Sequence, residues 1–94
     1  MGVMMTRAQE LFHDATKVER VGNKNLWIVH RSNVSLLVSY QTVVGFKVPG
    51  SSWCITDQYY SVTTTRQTNG IIREHGGVRV SAQAWERGYG IVRD

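Results

Sequence analysis

Between Leu26 and Thr56 the chain is written in short apolar runs separated by turn residues, the pattern of strands. Leu26–Arg31 alternates Leu26, Ile28 and His30 on one face with Trp27, Val29 and Arg31 on the other. Ser32-Asn33 reads as a tight turn. Val34–Tyr40 groups Val34, Leu36, Val38 and Tyr40, with Ser35, Leu37 and Ser39 opposite. Thr42–Val48 groups Thr42, Val44, Phe46 and Val48, and Gly45 among the opposite set marks a bend or bulge. Pro49-Gly50-Ser51 is a turn by mechanism, because proline fixes φ and glycine supplies φ > 0. Trp53–Thr56 is a fourth short strand. The spacing predicts an antiparallel meander.

Helical spacing flanks these runs. Over Thr6–Val18, Ala8, Leu11, Phe12, Ala15 and Val18 form one apolar stripe, with Thr6 and Gln9 in capping-box positions. Gly22-Asn23-Lys24-Asn25 breaks that pattern as a polar turn. A second helix begins within Ser61–Thr65 and ends at Gly76-Gly77, a left-handed C-terminal cap. Its expected buried stripe is Thr68, Ile71, Ile72 and His75, with Arg66, Asn69, Gly70 and Arg73 facing out. Val78–Val80 reads as a fifth strand, Ser81 caps a short Ala82–Arg87 turn, and Gly88-Tyr89-Gly90 closes it. The expected fold is therefore one α+β domain over residues 1–94. It comprises an N-terminal helix, a four-stranded antiparallel β-meander, a second helix packed on the sheet, and a short C-terminal strand or turn.

From Asn25 to about His75 the chain resembles a group of small, uncharacterised domains encoded by bacteriophages and mobile elements. The matching residues are Asn25-Leu26-Trp27, Ser39-Tyr40-Gln41-Thr42-Val43-Val44, Thr56-Asp57, Tyr60-Ser61-Val62-Thr63-Thr64 and Asn69. They correspond to that group's Asn-Leu-Trp strand start, Ser-Tyr-x-Thr-x-Val segment, Thr-Asp step and Tyr-Ser-x-Thr-Thr-x-x-His-x-Asn helix start. The chain departs at Gln67, or at a neighbour if the register slips, where the group usually has histidine. A function carried by that histidine would be missing here. The resemblance implies a phage or mobile-element origin and a bacterial cytoplasm.

Composition narrows the classes. The chain has 94 residues, 41% hydrophobic and 19% charged, which excludes a disordered or membrane-embedded chain. Met1–Thr6 lacks the basic and long apolar regions of a secretory signal. The single cysteine, Cys54, lies in an apolar run and reads as a buried thiol in a reducing cytoplasm. A net charge of +4 invites nucleic-acid binding. The charge is spread evenly, however: Arg7, Lys17, Arg20, Lys24, Arg31 and Lys47 face Glu10, Asp14, Glu19 and Asp57 in residues 1–65. In residues 66–94, Arg66, Arg73, Arg79, Arg87 and Arg93 face Glu74, Glu86 and Asp94. Neither part holds a basic block.

Candidate chemistry is sparse. His13, His30, His75 and Cys54 lack paired metal-ligand spacing, so neither a metal nor a cofactor is expected. No nucleophile elbow or Cys/His signature surrounds any serine or cysteine, and no enzyme is expected. Ser61–Asn69, with Arg66 one turn in, reads either as an anion site at a helix start or simply as its cap. Tyr59-Tyr60 near Trp53 reads either as a stacking platform or as a core edge. The tail interleaves Arg79, Trp85, Arg87, Tyr89 and Arg93, as a binding surface or a docked segment does. The expected role is a stoichiometric protein binder, such as an inhibitor of a defence or transcription complex, contacting its partner through Tyr59, Tyr60, Arg66, Arg73, Trp85 and Tyr89. The alternative is a small basic nucleic-acid-binding protein. An open edge strand suits a homodimer in either case.

Overall fold

The computed structural model describes residues 15–22 and 25–92. The elements among them are strands β1 (Lys17–Arg20), β2 (Leu26–His30), β3 (Ser35–Ser39), β4 (Thr42–Lys47) and β5 (Trp53–Thr56). Helix α1 (Val62–His75), strand β6 (Gly77–Val80) and helix α2 (Ala82–Val92) follow. The six strands form one sheet in sequence order. Neighbours are antiparallel from β1 to β5, and β6 runs parallel to β5.

Apolar residues at consecutive positions bury both faces of this sheet. Leu36 and Leu37 point to opposite sides, and both are fully buried. On one side Leu26, Ile28, Leu37, Val44, Trp53 and Ile55 pack with Ile71 of α1. On the other, Val29, Leu36, Val38 and Val43 pack with Trp85 and Tyr89 of α2. The result is three layers, with one helix on each face. Continuous apolar strands are what a doubly covered sheet requires.

This layout corrects the expected one. The N-terminal helix fails where it can be compared. Lys17 and Val18, its last residues, lie in β1 opposite His30 and Val29, and Thr6–Asp14 fall outside the described residues. Val18 satisfies a strand period as well as a helical one, and pairing gives the polar backbone edge of β2 its partners. Thr16 anchors the join, donating to the His30 carbonyl from its N–H at 2.8 Å and its hydroxyl at 3.1 Å. The sheet is mixed and six-stranded because α1 carries the chain back to lay β6 parallel beside β5, a connection that needs a crossover helix.

Two further corrections are local. Leu37 pairs with Gly45 and Val38 with Val43, so Val44 is the extra residue of a β-bulge. Val44 therefore joins the α1 layer while Phe46 joins the α2 layer, and the expected common face of Thr42, Val44 and Phe46 is broken. Second, α2 runs on to Val92 through Gly88-Tyr89-Gly90, where a closing turn was expected. A Cβ on Gly88 would stand 2.9 Å from Phe46 Cζ. That glycine lets the helix backbone settle against an aromatic ring, a use of glycine inside an element rather than at its end.

Candidate binding surface

One end of the sheet is aromatic. β3 turns into β4 through Tyr40-Gln41, since Ser39 and Thr42 are paired. At the same end, β5 gives way to Tyr59-Tyr60 before α1. Tyr40, Tyr59 and Tyr60 are 52%, 67% and 43% exposed. Tyr40 and Tyr60 line a shared recess of about 200 Å³ with Ser39, Thr42, Ser61 and Thr64. Tyr60 and Thr42 also line a second recess of about 470 Å³, which reaches Trp85, Glu86, Tyr89 and Gly90 on α2.

Tyr40 has φ +56 and is the one non-glycine residue at positive φ among the described residues. An L-residue with a bulky side chain is disfavoured there, and glycine or asparagine is the usual occupant. Its N–H donates to the Asn25 carbonyl at 2.7 Å, so the sheet holds this backbone in place.

Beneath the recess the hydroxyl protons of Ser61, Thr64 and Ser39 are all committed. Ser61 caps α1, its Oγ accepting from the Thr64 N–H at 3.0 Å. The Ser61 hydroxyl donates to Thr64 Oγ1 at 3.1 Å and the Ser39 hydroxyl to Gln67 Oε1 at 3.0 Å. Each hydroxyl has one proton, so the 3.0 Å contact between Thr64 and Ser39 has Thr64 as donor. A single chain of protons thus runs from Ser61 to Gln67 and locks the start of α1 to the end of β3. Gln67 and Thr64 are buried, whereas His75, expected in the buried stripe, is exposed. Within Ser61–Asn69, capping and packing account for Ser61, Thr64 and Gln67.

The other expected site residues divide. Trp85 and Tyr89 are each only 5% exposed. Their rings stack at 5.0 Å, with Phe46 behind them at 5.7 and 6.3 Å. The Trp85 indole N–H donates to the Cys54 carbonyl at 2.9 Å. They form the floor of the larger recess rather than an exposed patch. Arg66 and Arg73 are exposed on α1 and line a separate recess of about 310 Å³ with Gly70, Glu74 and Val21. Arg79 is engaged in structure, donating to the Thr56 carbonyl at 3.1 Å, Thr68 Oγ1 at 2.8 Å and Asn69 Oδ1 at 2.7 Å. Tyr40, Thr42 and Glu86 were not among the expected contacts. The one sequence signal for Tyr40 is that Tyr-Gln is poor chemistry for a two-residue hairpin turn.

A separate polar line crosses β1, β2 and β3. His30 Nε2 lies 2.8 Å from Glu19 Oε2, and its Nδ1 lies 2.9 Å from Ser35 Oγ. Lys17 Nζ is 3.1 Å from the other Glu19 oxygen. The hydrogen bond from His30, and then Lys17, hold the Glu19 carboxyl below the usual carboxylate range. The connectivity is that of a nucleophile, a base and an acid. However, His30 is the register partner of Ser35 and the diagonal neighbour of Glu19, which pairs with Ile28, so cross-strand neighbourhood explains it. Ser35 sits on an interior strand laddered on both sides, which does not offer the pair of backbone donors that an oxyanion needs. Among the described residues no three of His, Cys, Asp or Glu gather to hold a metal. Cys54 is half-buried, and burial pushes its thiol pKa up, away from the reactive thiolate. No helix among the described residues is long and apolar enough to cross a membrane.

Fold and surface together define a three-layer domain with a mixed sheet, opening at one end into tyrosine-lined recesses. The chain belongs to a family of unknown function (DUF8033), which it matches over residues 3–87. This agrees with the resemblance to an uncharacterised domain family. No curated protein and no solved structure matches the chain.

Proposed function

We propose that this chain is a non-enzymatic accessory protein of phage or mobile-element type that works in a bacterial cytoplasm. It acts stoichiometrically, by binding a host or phage protein at the tyrosine end of its sheet. The observation that carries the reading is Tyr40, an exposed tyrosine held at positive φ beside a recess it shares with Tyr60. Strained positions persist where the surroundings over-determine them, and they cluster at functional sites. Tyrosine supplies large amphipathic contact area at low entropic cost, which is why it is enriched at binding hot spots. An inhibitor of a defence or transcription complex is the kind of role that fits.

Nucleic-acid binding has one observation in its favour, the shared recess of Arg66 and Arg73. Against it, the Arg79 guanidinium is spent on Thr56, Thr68 and Asn69. Arg87 lies on α2, across the sheet from α1. These four arginines therefore do not make one basic face of the kind that tracks a phosphate backbone.

Two measurements decide between the readings. Affinity capture from bacterial lysate is compared for the wild type, Tyr40→Asn, the Tyr59→Ala/Tyr60→Ala pair, and the Arg66→Ala/Arg73→Ala pair. A discrete partner retained by the wild type and the arginine variant but lost from both tyrosine variants is expected. Fluorescence-anisotropy titration of DNA and RNA at about 50 and 200 mM salt completes the test. Binding that collapses with salt and depends on Arg66 and Arg73 would replace the proposal with the nucleic-acid reading.

A further inference from the structure

The larger recess has a lining that selects among partners. Its floor is the stacked pair Trp85 and Tyr89, backed by Phe46 and held by the indole hydrogen bond to the Cys54 carbonyl. Tyr60 and Thr42 stand at its mouth towards the tyrosine end, and Glu86, exposed on α2, supplies the one charge among the described lining residues. Aromatic rings attract cations at their faces: Trp85 and Tyr89 stack theirs on each other, so Tyr60, 43% exposed, offers the open face, and the Glu86 carboxylate adds a full negative charge. No Lys or Arg stands three or four positions from Glu86 on the helix, at Ala82, Gln83, Tyr89 or Gly90; Arg87, next in sequence, meets Glu86 in a different surface recess and does not line this one. At about 470 Å³ the recess is within the range of ligand pockets and is larger than one side chain.

We infer that this recess receives a cationic side chain, arginine or lysine, presented by the protein partner. The inference rests on the protein-binding reading and sharpens it by naming what the partner brings. The chain itself carries a net charge of +4, so a strongly basic partner would be repelled as it approached. The fitting segment therefore offers a single cation in an otherwise neutral or acidic stretch. Recognition is then local and depends on Glu86 and the exposed Tyr60 ring, not on long-range steering. Arginine is the better fit, since its planar guanidinium both stacks on aromatic faces and pairs with a carboxylate.

The test uses the full chain, with N-acetyl-arginine methylamide and N-acetyl-lysine methylamide as probes and N-acetyl-glutamine methylamide as the neutral control. Titrations are followed by 1H–15N NMR. Saturable shifts are expected at the Trp85 indole N–H and at the Glu86, Tyr89 and Gly90 amides, with the arginine probe binding about fivefold more tightly than the neutral one. That advantage is expected to vanish in Glu86→Gln and to weaken in Tyr60→Leu, both at exposed positions. Equal binding of the arginine and glutamine probes would overturn the inference, as would an unchanged preference in Glu86→Gln or shifts confined to other surfaces. Tyr40-dependent capture of a partner is scored in parallel. If that capture persists while the cation preference is absent, the inference alone falls. If the preference is present and the capture shows no dependence on Tyr40, the protein-binding reading falls and takes with it the assignment of the cation to a protein partner.

Discussion

Strand β4 is entered through Tyr40-Gln41 and left through Pro49-Gly50, and the two turns use opposite chemistry. At the far turn proline presets φ, Gly50 takes φ +84, and the Ser51 N–H closes on the Val48 carbonyl at 3.0 Å. Every residue there is the one that the backbone asks for. At the near turn a comparable positive φ falls on a tyrosine. Both turns join the same strand to its neighbours, so β-sheet stability alone does not explain the difference. Local chemistry that disagrees with its backbone is what binding sites tend to show. One end of β4 is built to hold the sheet and the other, under the proposed function, to present a side chain.

That contrast is tested by variants that disturb the holding parts without touching the presenting end. The largest effect is expected from Leu37→Ala, which empties a fully buried position on β3 beside Gly45, in the layer that packs with α1. It should lose about 2–5 kcal/mol of stability by chemical denaturation. Gly50→Ala comes next, at about 1–2 kcal/mol, because it puts a Cβ into a left-handed position. Partner capture by the folded Gly50→Ala protein should equal that of the wild type. Reduced capture at equal folded fraction would mean that the two ends are not separable.

The smallest effect belongs to Glu19. Its carboxyl pKa is lowered in the folded chain by His30 and Lys17, so its contribution is present above the usual carboxylate range and disappears as the pH falls through the lowered value. Melting temperatures of the wild type and Glu19→Gln, measured from pH 7 to pH 3, should differ slightly at the upper end and converge at the lower. A gap that widens on acidification would contradict the sign.

Much of the sheet was legible from residue pattern. Leu26–His30, Ser35–Ser39, Thr42–Lys47 and Trp53–Thr56 lie within or at the bounds of the four expected runs, because each run is short, apolar and ended by turn residues. The second face of the sheet was missed although consecutive pairs such as Leu36-Leu37 and Val43-Val44 announced it. Strict alternation does not describe runs that place apolar residues at consecutive positions. The bulge at Val44 then reversed the parity expected for Thr42–Val48. β1 was hidden because Val18 fits two periods at once, and only its pairing with Val29 decides between them. For the site, Tyr60, Trp85 and Tyr89 do line one recess. Periodicity would have placed Trp85 and Tyr89 on the inner face of α2 had the helix not been ended early at Gly88. Tyr40 and Glu86 depend on a backbone angle and on three elements meeting, which no local pattern records.

The most direct test is the stability of Tyr40→Asn, measured by chemical denaturation beside the wild type and paired with partner capture. Asparagine accepts the left-handed backbone without the full penalty, so the variant should be more stable by about 0.5–1 kcal/mol while losing the partner. A variant that is less stable, or one that retains the partner at wild-type strength, would show that Tyr40 serves the fold and not the contact.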